Sequence, residues 1–471
     1  MRTLAFPLAF LSPRRHPPSL LALAAALLAG CASVSPDGLR GDVAALTAHR
    51  TGGVEAAALP STDPAARARA DESIQAWLAQ PLDADAAVRI ALLHNPGLQA
   101  RLAALGVADA ERVQALTLPN PHLSLARLTQ GPERGIERTL AFSVLDLVTL
   151  PWRAGREAER LQLATLQAAQ DVVQLAADTR RAWLRAVAAE QVAAAHERMV
   201  AAAEAGAELA RRMAGAGNWS RLRQAREQAV LQEAIAQRAR ARLAAATARE
   251  QLHQRLGLSG AQAQYRLAAQ LPPLPPDALP GDGLEAAALR ERLDVQAARL
   301  QLDTLARQEG WSRAGAVFGD LGLAYRRDTL DDRATGRREV THGWELDLPL
   351  PVFDWGGAAR TRAQAQVEQG AAQLRDTALR ARGEVRSAWL AYRTALDLAR
   401  QQQAEVLPLR QLITEETTLR YNGMLASVWE LLAEARASTQ AVADAVEAQR
   451  DFWLAEADLQ LALTGTSSQG H

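Results

Sequence analysis

Apolar positions along this chain recur with two periods. Over residues 385–399, Val385, Trp389, Tyr392, Leu396 and Ala399 are spaced four, three, four and three, the seam of a close-packed helix. Over residues 340–349 the period is two. Val340, His342, Trp344, Leu346 and Leu348 share one face, and Thr341, Gly343, Glu345, Asp347 and Pro349 share the other. The first face is mostly apolar with an aromatic; the second is small and acidic. The helical pattern dominates and predicts helices over 83–115, 152–213, 220–256, 284–308, 357–421 and 428–463, with Pro119 and Pro121 closing the first. Strands are predicted over 122–128 and 138–147, then over 315–326 and 339–350. The run 152–213 has no proline and only Gly155 and Gly206 as glycines. At about 1.5 Å per residue it spans roughly 90 Å, so the molecule is elongated.

The same order of elements occurs twice. Asn95-Pro96-Gly97-Leu98-Gln99-Ala100 matches Arg292-Leu293-Asp294-Val295-Gln296-Ala297, and Arg180-Arg181-Ala182-Trp183-Leu184 matches Arg386-Ser387-Ala388-Trp389-Leu390. The break at Gly215 pairs with the break at Gly423. The sequence thus divides into a leader (1–30), a Ser-, Pro-, Gly- and Ala-rich tether (31–71), a first unit (72–270, hairpin 121–148), a proline-rich linker (271–283), a second unit (284–465, hairpin 315–350) and a tail (466–471). The predicted class is mainly α with a small β part, built from long antiparallel helical hairpins in a two-fold internal repeat. Glycine suits the helix reversals because a tight turn there needs a positive φ.

Composition narrows the function. The 53 basic and 53 acidic residues cancel, and with no lysine every basic residue is arginine. No basic face for nucleic acid is expected. The single cysteine, Cys31, excludes an intrachain disulfide. None of the eight histidines pairs with another at helical ligand spacing, so no metal site is expected, and no catalytic motif is found. The chain is read as a non-enzyme without a cofactor. Asp328, Asp331 and Asp332 are placed in a solvated loop between two strands.

Alternating strands of about ten residues match the length of a tilted membrane strand. Four such strands cannot close, and an open edge in lipid leaves backbone groups unsatisfied. The barrel is therefore shared: two chains give eight strands, three give twelve.

The basic start (Arg2, Arg14, Arg15), the apolar stretch 20–28 and Leu28-Ala29-Gly30-Cys31 resemble a bacterial lipobox. That resemblance implies cleavage after Gly30 and acyl chains on Cys31. Ala32, in place of the aspartate that often retains lipoproteins at the inner membrane, points to the outer membrane.

Asn95-Pro96, the two hairpins, Leu348-Pro349-Leu350-Pro351-Val352-Phe353-Asp354 before a long helix, and Tyr421-Asn422-Gly423 followed by Glu430-Leu431-Leu432 together resemble the outer membrane efflux protein (TolC-like) family. The lipid site and short tail resemble its lipoprotein branch, which serves resistance-nodulation-division pumps. The resemblance implies a homotrimer with a twelve-stranded barrel in the cell outer membrane, over a periplasmic helical tunnel. It also implies outer-membrane lipid around the barrel, a periplasmic adaptor (membrane fusion) protein and an inner-membrane pump as partners. Gly215, Gly217, Asn218, Asn422, Gly423 and Ser427 would form the tip that meets the adaptor. Some members close the tip with aspartates on the following helix. The matching positions here are Trp429 and Leu432, with Glu430 and Glu434 nearby. An acidic ring from the two glutamates and an apolar constriction by Trp429 are both allowed. A non-conducting lipoprotein rod and the duct of a protein secretion system are the alternatives to an efflux channel.

Overall fold

The structure, a computed structural model, describes residues 33–52, 54, 59–118, 120–131, 133–317, 322–347 and 356–465. The leader, Cys31, the 348–354 motif and the tail lie outside the described residues.

Two short helices, α1 (Arg40–Thr47) and α2 (Pro64–Leu78), precede the body. Next come α3 (Ala84–His94), α4 (Pro96–Leu116), strands β1 (His122–Gln130) and β2 (Glu133–Ser143), the long helix α5 (Val144–Gly215) and its return α6 (Arg221–Leu256). Beyond the linker the order recurs as α7 (Leu284–Glu291), α8 (Leu293–Val317), β3 (Gly322–Asp332), β4 (Arg337–Asp347), α9 (Gly357–Gln401), a π turn (Gln402–Val406), α10 (Leu407–Asn422) and α11 (Val428–Thr464). At about 1.5 Å per residue, α5 alone runs on the order of 100 Å. It packs antiparallel on α6 and also against α11, while α9 packs between α8 and α11.

Several elements differ from expectation. The helix predicted over 83–115 is two helices, broken at Asn95. Its side chain accepts from Leu98 N at 3.0 Å, capping α4, and donates to Arg255 O at 2.9 Å. Pro96 then starts α4 without an orphan N–H. The stretch predicted as a free tether carries α1 and buries Val43, Val54 and Leu59 against α3, α4 and α5. Its alanine-rich turns show no period, but those three side chains fill a groove between the longer helices. Asp109, wholly buried on α4, accepts Ser35 N at 2.6 Å and Arg112 Nε at 2.9 Å, pinning the first described turn. The strand predicted over 138–147 shifts to Glu133–Ser143, and the one over 315–326 shifts to Gly322–Asp332. In each case a helix claims the short apolar run. The single helix predicted over 357–421 widens into its π turn just before Pro408, which lacks a backbone N–H.

The core lies midway along the bundle. Trp183 is buried and donates from Nε1 to Leu82 O at 2.9 Å. The segment after α6 is tied there by a parallel bridge between Leu82 and Leu267. The proline linker is strapped down rather than free. Pro272 O accepts from Gln449 Nε2 at 2.6 Å and Trp453 Nε1 at 2.9 Å, and Leu279 N donates to the Tyr392 hydroxyl at 3.1 Å. Arg292 is buried at the α7–α8 break. It pairs with Asp294 and Glu384, each at 2.7 Å, and donates to Ala462 O. A buried guanidinium is tolerated only with such complete pairing.

Candidate functional site

Two regions at opposite ends of the long helices carry chemistry beyond packing. The first is the sheet. Its order is β1-β2-β3-β4, all antiparallel, so the outer edges of β1 and β4 have no strand beside them in this chain. Register places Leu123, Leu140, Tyr325 and Trp344 in one cross-strand row, with Leu323 and Leu346 in the next row of the same face. Three of these groups are open: Trp344 is 70% exposed, Leu346 64% and Leu123 63%. Tyr325 and Trp344 have ring centroids 5.1 Å apart. The opposite face carries Glu137, Asp328, Glu345 and Asp347, with Ala141, Ala324 and Gly343 between them. There Arg326 bridges Glu137 at 3.1 Å and Asp328 at 2.8 Å.

The faces predicted for 340–347 are those observed. The loop predicted for Asp328, Asp331 and Asp332 is instead the distal half of β3. Three aspartates in five residues read as loop from composition, yet Asp328 and Asp332 fall on the acidic face, where water is the expected neighbour.

The second region is the pair of helix reversals. In the first, Gly217 N donates to Ala214 O at 3.1 Å and Asn218 N to Met213 O at 2.9 Å, with Gly217 at φ 78°. This is the Schellman closure, with the left-handed residue just past the helix. Ser220 caps α6 by accepting Arg223 N. In the second, Met424 N donates to Tyr421 O at 3.0 Å and Leu425 N to Arg420 O at 2.7 Å, and the residue at φ 60° is Met424. Gly423 lies at φ −81°. The expectation that Gly423 supplies the positive φ is therefore corrected: by hydrogen-bond pattern, Gly217 corresponds to Met424 and Gly215 to Asn422. A letter match of glycine to glycine misses this by one residue. Met424 is 94% exposed and Leu425 74%, so the second tip is apolar and bare in this chain.

The two tips meet. Trp219 and Trp429 stack with centroids 4.1 Å apart, and Arg223 sits 5.9 Å over Trp219. Arg436 bridges Glu227 at 3.6 Å behind them. Trp219 escaped sequence reasoning; the signal available was its place directly before the cap Ser220, while Trp429 lies two residues past the cap Ser427. Ser427 and Glu430 form a reciprocal capping box, each bond 3.2 Å long. Glu434 is 3.7 Å from Arg410. Glu430 and Glu434 line one groove of about 450 Å³ between α10 and α11, together with Arg420 and Thr417. Trp429 is held in the stack with Trp219, and the structure brings the two glutamates together apart from it.

Among the described residues no three His, Cys, Asp or Glu side chains group to hold a metal, and no helix is long and apolar enough to cross a membrane.

No protein-family model matches the sequence, and no curated protein matches it. Solved structures do match. CusC, described in terms of folding and transmembrane channel formation, is 17% identical and aligns 83% of this chain with 94% of its own at a TM-score of 0.65. The open-state MtrE outer membrane channel of Neisseria gonorrhoeae is 19% identical over 80% of this chain and 88% of its own, TM-score 0.64. The CmeC outer membrane channel of Campylobacter jejuni is 15% identical over 85% and 87%, TM-score 0.62. The chain thus has the fold of the TolC-like outer membrane channels, mostly helical with a small four-stranded antiparallel sheet.

Proposed function

We propose that this chain is an outer-membrane efflux channel of the TolC-like family, the passive exit duct of a tripartite system whose energy comes from an inner-membrane pump. The observation that carries the reading is the sheet. It has one apolar face and one acidic face, two open edges, and helical hairpins about 100 Å long beneath it. An open, four-stranded, two-faced sheet of this kind is unstable in lipid unless further copies close it. A homotrimer with twelve strands, apolar outward and acidic toward a lumen, satisfies every edge. A rod needs neither the alternation nor the open edges, and the shared fold with solved outer membrane channels supports the duct.

The remaining parts follow. The two halves, each with paired helices, a hairpin, a long helix and a return, are an internal two-fold repeat. Cys31 carries lipid that anchors the chain in the outer membrane, with the helical part in the periplasm. The bare tips around Gly217, Asn218, Gly423 and Met424 dock on a periplasmic adaptor, and Glu430 with Glu434 form the acidic constriction just inside. The protein needs no cofactor and catalyses nothing.

The test pairs two measurements: single-channel conductance of the purified full chain in planar bilayers, and growth of a deletion strain against panels of metal ions and organic toxicants. Stable conductance with sensitivity to one class of toxicant is expected. Absence of conductance favours the rod. Conductance with loss of a secreted protein, and no toxicant sensitivity, favours the secretion duct.

A further inference from the structure

The strands segregate charge across the sheet in a way a pore alone does not explain. Of their seven arginines, Arg127, Arg134, Arg138, Arg327 and Arg338 share the apolar face, and Arg326 and Arg337 share the acidic one. Every strand carboxylate except Asp331 lies on the acidic face. Arg127, Arg134 and Arg338 sit in the half of the sheet away from the helices, and the Arg138–Arg327 pair stands at its midpoint, the next row of that face beyond Tyr325 and Trp344.

Their pairing is incomplete. Arg338 reaches Asp331 at 3.5 Å. Among the described residues, Arg127, Arg134, Arg138 and Arg327 have no carboxylate within 4.0 Å, and the one polar contact of Arg138 is the Thr329 hydroxyl at 3.3 Å. Arg138 and Arg327 stand directly opposite each other on β2 and β3. Like charges in that position repel and weaken the strand pair. An arginine on the lipid face of a barrel costs about 2–4 kcal/mol at the midplane, falling toward the interfaces. The acidic face handles the same problem differently, with Arg326 shared between two carboxylates. An outward face that collects five arginines against the single carboxylate of Asp331 fits an anion arriving from outside the chain.

We propose that this arginine patch binds the phosphate-bearing headgroups of membrane lipid on the side of the bilayer away from the helices. This rests on the barrel reading above. The four unpaired guanidiniums offer planar forks suited to bidentate phosphate contacts. Their aliphatic stems cover the apolar face while the heads rise to the headgroup level. The lipid phosphate supplies the counter-charge that Arg138 and Arg327 lack.

The test uses the full chain in nanodiscs of phosphatidylcholine, to which bisphosphorylated or dephosphorylated lipid A is added, with bound lipid counted by native mass spectrometry. Flotation of the unlipidated Cys31→Ser chain with neutral phosphatidylcholine vesicles is run first. Insertion there reports the barrel itself, and failure to insert overturns both readings together. With insertion, at least about tenfold preference for the phosphorylated lipid is expected, a difference of about 1.4 kcal/mol. The double variant R138Q/R327Q should lose that preference, whereas R337Q, on the acidic face, should keep it. R138K/R327K retains the charge without the fork and serves if the glutamine variant fails to insert; a partial loss is expected from it. Equal binding of the two lipids by the wild-type chain, or full preference in R138Q/R327Q, overturns the proposal and leaves the barrel intact.

Discussion

At the residue scale, the two reversals are a controlled comparison. Both close with the same hydrogen bonds, but the left-handed position holds Gly217 in one and Met424 in the other. For a residue with a Cβ that conformation costs roughly 1–2 kcal/mol. Gly217→Val should therefore loosen the first tip, speeding amide exchange at Asn218 by about 5–30-fold. Met424→Gly should slow exchange at Leu425. Export should nonetheless fall in Met424→Gly, since the strained position displays an almost fully exposed apolar side chain. Normal export in that variant would remove Met424 from the docking surface. Gly423→Val is expected to be mild, because a Cβ there meets only ordinary contacts, Leu419 O at 3.5 Å being the nearest. A second residue-scale prediction concerns Glu456 on α11. Burial raises its carboxyl above the ordinary 4.5, against the opposing pull of Arg180 and a Gln460 hydrogen bond. A raised carboxyl favours folding at low pH and loses that contribution as pH climbs through its folded value. Glu456→Gln should therefore melt higher than wild type at neutral pH, and the gap should close below pH 4.5. An unchanged gap across that range would show that Glu456 is not desolvated in the assembled protein.

At the scale of elements, legibility followed period and length. The long helices were readable because a seam such as Val385 to Ala399 repeats over many turns, and tertiary packing reinforces what the pattern states. The hairpins were readable in kind but not in position. Residues 144–147 and 315–317 are short apolar runs that serve helix or strand equally, and the neighbouring helices α5 and α8 extend through them. The polar end of β3 was lost for the opposite reason, since a strand facing water on one side tolerates Asp328 and Asp332 there. The N-terminal clasp was missed because its hold is not periodic: it depends on one buried carboxylate 74 residues away in sequence. Asp109→Ala removes the acceptor for Ser35 N and strands Arg112, a loss of about 2 kcal/mol of charged hydrogen bonding. Proteolysis near residues 33–39 should then accelerate while the melting of the main helices holds. If the clasp stays protected, Val43 and Leu59 alone anchor it.

At the scale of the whole molecule, the sheet decides what the single chain can be. β1 and β4 each present an edge, and neighbouring strands in a closed barrel lie about 4.8 Å apart. A further copy can satisfy both edges only by placing its β4 beside this chain's β1, a head-to-tail contact that must close into a ring. The number of copies is the one quantity that neither the alternation nor the fold of one chain supplies, because eight strands close as properly as twelve. It can be counted directly. With Cys31 replaced by serine, Leu125→Cys on β1 and Val340→Cys on β4 are joined across copies by a flexible bismaleimide in membranes. On denaturing gels the crosslinked ladder should end at three chains, and the top band should strengthen with time without giving rise to a fourth. A ladder ending at two would make an eight-stranded barrel, whose lumen is just wide enough to be filled by side chains, and passive conduction would fail with it. Absence of any crosslink, in a chain that inserts and conducts, would mean that these edges are covered by something other than a copy of this chain.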